Sequence, residues 1–206
     1  MPPFENAVKD YLDARISTLA RIKTRSLGAD TLVLSALTVL AYAQLEGGVK
    51  EISGCVIKDV NRRKLEWGEA APRLLKWRNQ EDLARFRSTV NFEMIGESAP
   101  FAPFLKKRVQ IKPINRRREF NQMTWGKIKT VYEGFGLSSR GIERYAANIG
   151  SLVDARNDAA HHGAMPTTAA AMLENQVRDN VRVVEDVLTD LALQALAYFE
   201  NGLHRR

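Results

Sequence analysis

Cysteine is almost missing from this chain of 206 residues: Cys55 stands alone, so no intrachain disulfide can close and no zinc site of paired cysteines can be built. A reducing, cytoplasmic setting is expected. Histidine is nearly as scarce, with His161, His162 and His204 the full set, and the last falls in a chain end expected to fray. No metal and no cofactor are expected. The chain also lacks a glycine-rich phosphate loop, a serine–histidine–acid arrangement, internal repeats and low-complexity segments. Its start, Met1-Pro2-Pro3-Phe4, has neither a basic cluster nor an apolar run and does not read as a secretion signal. The longest apolar stretch, Leu32 to Leu45, is interrupted by Ser35, Thr38 and Gln44. It falls short of the ~20 residues needed to cross a bilayer. It reads as a buried helix, in the core or at a subunit interface, and no membrane partner is expected.

What the chain has is helical periodicity. Phe4, Val8, Tyr11, Leu12, Ile16 and Leu19 are spaced by threes and fours, as are Leu173, Val177, Val181, Val184, Leu188, Leu191, Ala195 and Phe199. Pro166, Thr167 and Thr168 supply a start signal for the second series. No strand alternation is sustained, although Val109-Gln110-Ile111 allows a brief extended piece. With 45% hydrophobic residues the chain can bury one sizeable core. An all-α helical bundle is expected, as a single domain over residues 1–206. Pro72, Gly96, Pro100, Pro103 and Pro113 break the pattern between 63 and 124, which reads as an irregular insertion between core helices, with short helical pieces near 80–94 and 100–107.

The most informative stretch is Arg156-Asn157-Asp158-Ala159-Ala160-His161. Ile142, Tyr145, Ile149 and Leu152 set a helical apolar series whose next position is Arg156. A charge stands where an apolar residue is due. At ~100° per residue, Arg156 and His161 are roughly 140° apart. The guanidinium nevertheless rides a long stem, and Asn157 and His161 form an i, i+4 pair beside it. That grouping suits phosphate, because arginine offers a permanently charged planar fork and histidine exchanges a proton near neutrality. Asp158, three residues from His161 and four from His162, is placed to orient either ring. A purely structural role also fits: Arg156 bridging aspartates at the helix end, and His161-His162-Gly163 forming a C-terminal cap.

Arg156-Asn157-x-x-Ala160-His161 resembles the hallmark of the HEPN superfamily of helical domains, an arginine followed after a short gap by a histidine. Tyr42-Ala43-x-Leu45-Glu46-Gly47-x-Val49-Lys50 is similar to the second-helix pattern of its bacterial RiboL-PSP-HEPN-like branch. Asn121-x-Met123-Thr124-Trp125 followed by Gly134-Phe135-Gly136-Leu137 resembles that branch's lead-in to the motif helix, so the likeness covers roughly residues 30 to 200. The resemblance implies a metal-independent endoribonuclease, often the toxin of a toxin–antitoxin or phage-defence system, acting as a dimer with its two motifs facing. It also implies an acidic residue, Glu46, near the motif helix, where a solvated end to the apolar run is the other reading. The chain departs from the family pattern at two positions. Gly163 stands where some relatives carry a tyrosine modified by a partner nucleotidyltransferase, and His162 stands where many have glycine, which leaves both His161 and His162 open as the acting imidazole.

Metal-free RNA cleavage needs a base for the 2′-hydroxyl proton, an acid for the leaving 5′-oxygen and a cation for the charge that grows on phosphorus. One chain offers too few such groups. A homodimer pairing two copies of Arg156 and His161 would supply them. The net charge of +7 favours an acidic partner, either substrate RNA or an acidic antitoxin protein. The densest basic runs, Lys106-Lys107-Arg108 and Arg116-Arg117-Arg118, have Phe120 and Trp125 close behind, the composition of a single-stranded RNA platform. The competing reading is a non-catalytic helical module that binds RNA or protein.

Overall fold

The computed structural model describes residues 4–77, 102–114, 120–162 and 170–205. Helix α1 (Phe4–Arg25) is followed by a turn at Gly28, whose φ of 64° lies in the left-handed region open to glycine. Asp30 then caps α2 (Thr31–Arg62), its Oδ1 accepting the Val33 N–H at 2.9 Å. The apolar run in the sequence closes at Glu46, yet the helix continues for four further turns.

Gly47 and Gly48 explain the difference. Each glycine in a helix interior costs about 1 kcal/mol relative to alanine, but here both are points of close approach. A Cβ at position 48 would lie 2.6 Å from Leu188, and one at 47 would lie 2.9 Å from the Arg15 guanidinium. Gly47 thereby lets Arg15 cross the helix and donate to Gln44 and Glu51. At its full length α2 is long and apolar enough to cross a membrane, contrary to the length read from Leu32–Leu45. Yet 56% of its most apolar window is buried in the fold, as expected of a central bundle helix.

Around α2 pack α1, the motif helix α5 (Ala146–His162) and the long α6 (Ala170–Glu200). The stripe expected on α6 is buried from Leu173 to Ala195, with Phe199 half-buried. On α1 one position departs: Tyr11, expected within the apolar stripe, is 42% exposed.

The interrupted region contributes more to the core than its proline content suggests. Trp67, Leu74, Trp77, Phe104, Val109, Ile111, Ile114, Phe120 and Met123 are all buried. The extended piece at Val109-Gln110-Ile111 is present: Val109 N–H donates to Leu65 O at 2.8 Å, and Asn61 holds the Ile111 backbone through two 2.9 Å bonds. It forms no strand among the described residues. A one-turn helix, α3 (Ala102–Leu105), falls within the piece expected near 100–107, whereas the piece near 80–94 and the signal at Pro166–Thr168 lie outside the described residues. Helix α4 (Trp125–Phe135) stops at Gly136, left-handed with φ 72°. A 3-10 turn over Arg140–Tyr145 then leads into α5.

His204 corrects the expectation of a frayed end. Its ring is 4% exposed, it packs beside Tyr198 and Phe199, and its carbonyl accepts the Ala71 N–H. Neither ring nitrogen finds a hydrogen-bond partner among the described residues. Burial, helped by Arg63 and Arg205, pushes the imidazole below its ordinary 6.5. Below about pH 6.5 the unfolded chain takes up a proton that the folded chain refuses, so stability must fall as the pH falls. The urea midpoint is expected to drop between pH 7.5 and 5.5, and the drop to shrink in His204→Leu; equal drops in both proteins would contradict this.

Candidate active site

Helix α5 turns Ile149, Leu152, Val153 and Ala155 into the core. Arg156 continues this face, as its phase in the sequence predicts, but is only half-buried. Its Cζ stands 5.4 Å from the centroid of the Tyr42 ring, and its Nη1 donates to Asn157 Oδ1 at 3.0 Å. Gln122 Nε2 donates to the same oxygen at 3.5 Å. Among the described residues no carboxylate forms an ion pair with Arg156, so it does not bridge aspartates at the helix end. Among the described residues the guanidinium has a ring beneath it and one neutral acceptor at its edge, which leaves donors for an anion.

Tyr42 is the hinge of this arrangement. Its hydroxyl accepts the Met123 N–H at 2.7 Å, which ties the lead-in segment to α2. Burial pushes its pKa up to about 12; the Met123 bond and Arg156 oppose the rise, while the neighbouring Glu46 carboxylate adds to it. Tyr42 therefore keeps its proton at neutral pH and acts as a platform rather than a base. Glu46 in turn pairs with Lys50. Tyr42, Glu46 and Lys50, each four residues on, make a polar seam along one side of α2.

Removing the Tyr42 hydroxyl would leave the buried Met123 N–H without an acceptor, at a cost of about 1–3 kcal/mol. Tyr42→Phe is expected to lower the free energy of urea unfolding by that amount. Unchanged stability would show that the bond contributes nothing to the fold.

A family model described as RiboL-PSP-HEPN matches residues 5–197. The chain belongs to the RiboL-PSP-HEPN family. No curated protein and no solved structure matches it. HEPN domains are often of ribonuclease type, and the all-α architecture agrees with the fold implied by the sequence.

Within this HEPN domain the structure gathers some of the residues singled out by sequence and separates others. Arg156 and Asn157 touch, and Glu46 reaches them through Tyr42. His161 is exposed near the end of α5, and Asn157 turns toward Arg156 and Gln122 rather than toward it. Asp158 is exposed; of His162 only the backbone, the last residue of α5, is described. Lys106, Lys107 and Arg108 are exposed, but the chain there is bonded to Leu65, Trp67 and Gly68, beyond the far end of α2 from Tyr42. Arg116, Arg117 and Arg118 lie outside the described residues.

One proposed aromatic platform is corrected. Phe120 is buried, stacked 6.0 Å from Trp77, because the core beside α4 needs a ring there; it offers no face to a base. Tyr42 and Gln122, which touch Arg156 and Asn157, were not singled out as site groups from the sequence. For Tyr42 the signal was the recurrence of Tyr, Glu and Lys every fourth residue at 42, 46 and 50, directly after the apolar run; Gln122 carries no comparable signal.

Proposed function

We propose that this HEPN domain is a metal-independent endoribonuclease, acting as the toxin of a toxin–antitoxin or phage-defence system. The observation that carries the reading is Arg156: a half-buried guanidinium, its Cζ over the Tyr42 ring and unpaired with any carboxylate among the described residues. Such a group is a receptor for a phosphate diester. Asn157 holds it in place, and the Tyr42–Glu46–Lys50 seam supports it from behind.

The acid and base come from His161. On its own helix it is about 7.5 Å along the axis and roughly 140° round from Arg156, so one chain does not close a site. A two-fold dimer would face two copies of each across one groove. Leu32, Val33 and Leu40, exposed on the half of α2 that carries Tyr42, provide apolar surface for such a contact. One imidazole takes the 2′-hydroxyl proton as its oxygen attacks phosphorus. The bond to the 5′-oxygen breaks, and the second imidazolium protonates that oxygen. The products are a 2′,3′-cyclic phosphate and a 5′-hydroxyl.

Purified protein is expected to cleave end-labelled single-stranded RNA in the presence of a metal chelator and to leave those two termini. Cleavage that stops in chelator, or that leaves a 5′-phosphate, would overturn the mechanism.

A further inference from the structure

A groove of about 660 Å³ runs along the C-terminal half of α2, with the start of α1 as one wall and Pro113 and Ile114 as the other. Asn61, doubly bonded to the Ile111 backbone, fixes the second wall. The groove begins at Lys50, the residue that pairs with Glu46. It thus shares Lys50 with the polar seam that leads to Tyr42 and Arg156. At its mouth stands Tyr11, the α1 ring that departs from the buried stripe.

The charges around the groove are unevenly satisfied. Its two carboxylates are held internally, Glu51 by Arg15 and Asp59 by Arg62 and Arg63. Lys58, also lining the groove, is exposed and has no ion pair among the described residues. Arg62 keeps a largely exposed side chain, 66% accessible, despite its bond to Asp59. The result is an apolar floor with one accessible aromatic ring and a cationic rim, the composition that holds stacked bases and tracks a phosphate backbone. From Lys50 to Arg62 the groove extends about 18 Å along the helix axis, the length of a few nucleotides. At its far end the chain turns toward the exposed Lys106-Lys107-Arg108 run.

We infer that this groove binds the single-stranded RNA flanking the scissile phosphate, with a base stacked on Tyr11 and phosphates on Lys58 and Arg62. The inference rests on the ribonuclease reading of Arg156, whose phosphate the strand would share.

The test uses the full chain carrying His161→Ala, so that RNA is bound without being cut, and compares a fluorescent 12-nucleotide RNA with a trinucleotide. Adding Tyr11→Ala, or separately Lys58→Glu, is expected to weaken binding of the 12-mer about tenfold or more and to leave the trinucleotide unchanged. Both positions are exposed, so the fold should persist, and a thermal melt checks that it does. Equal 12-mer affinity in all three proteins would overturn the inference even if wild-type cleavage depends on Arg156. Displacement of the 12-mer by an acidic peptide but not by unlabelled RNA would also overturn it, and would make the groove a protein-docking site. If the 12-mer depends on Tyr11 and Lys58 while wild-type protein cuts no RNA, the groove stands and the catalytic reading falls.

Discussion

Replacing Arg156 with alanine is expected to slow RNA cleavage by about a hundredfold or more, the typical cost of losing a group that stabilises transition-state charge. The loss should appear in kcat rather than in affinity, because the guanidinium meets its largest opposing charge only when phosphorus is pentacoordinate. His161→Ala should cost a similar factor through proton transfer. Arg156→Lys separates charge from shape. It keeps the cation but loses the planar fork that lies over the Tyr42 ring, so it should recover only part of the rate. In cells, expression of the wild-type chain without a partner is expected to arrest growth, and either alanine variant to relieve the arrest. Equal cleavage by wild type and Arg156→Ala in a labelled-RNA assay would remove the clamp from the mechanism.

The second large effect concerns stability and falls on Gly48. A Cβ there would sit 2.6 Å from Leu188 Cδ2 and 2.7 Å from Cδ1. Leu188 is itself fully buried and has little room to turn. Gly48→Ala gains about 1 kcal/mol of helix propensity against an overpacking cost of about 1–3 kcal/mol, and is expected to be modestly destabilising. Gly48→Val adds two further carbons to the same contact and should lower stability by about 3 kcal/mol or more. Gly54→Ala, on the same helix with nothing within 4 Å of the new Cβ, should instead stabilise by about 0.5–1 kcal/mol. Urea unfolding of the three variants checks the order; a Gly48→Val protein as stable as Gly54→Ala would mean that α2 and α6 are not packed as described.

These two positions also show what a sequence does and does not disclose. The phase of Arg156 was legible because helical spacing is local: Ile149 and Leu152 point the next turn inward whatever lies opposite. Its partner was not, since nothing in the spacing of α5 says that Tyr42 of α2 lies beneath the guanidinium. The apolar run read from the sequence ends at Leu45, and the reason the helix passes through Gly47 and Gly48, the approach of Arg15 and Leu188, lies in other helices. His204 was read as part of a frayed end, and the 63–124 segment that holds Trp77 as an irregular insertion, for the same cause. Each sits in a segment of weak periodicity that is ordered only by long-range burial. The basic run at Lys106-Lys107-Arg108 was visible as composition, while its distance from Arg156 depends on backbone bonds to Leu65 and Trp67.

The central claim is that phosphate clamp and proton-transfer groups meet only between two chains. It is tested most directly by mixing wild-type protein with a ninefold excess of His161→Ala protein, allowing subunits to exchange, and measuring RNA cleavage per wild-type chain. If both copies of His161 serve one groove, nearly every wild-type chain is then paired with an inactive one, and activity per wild-type chain should fall about tenfold. Unchanged activity per wild-type chain, with full-rate cleavage by a protein that sediments as a monomer, would contradict the account.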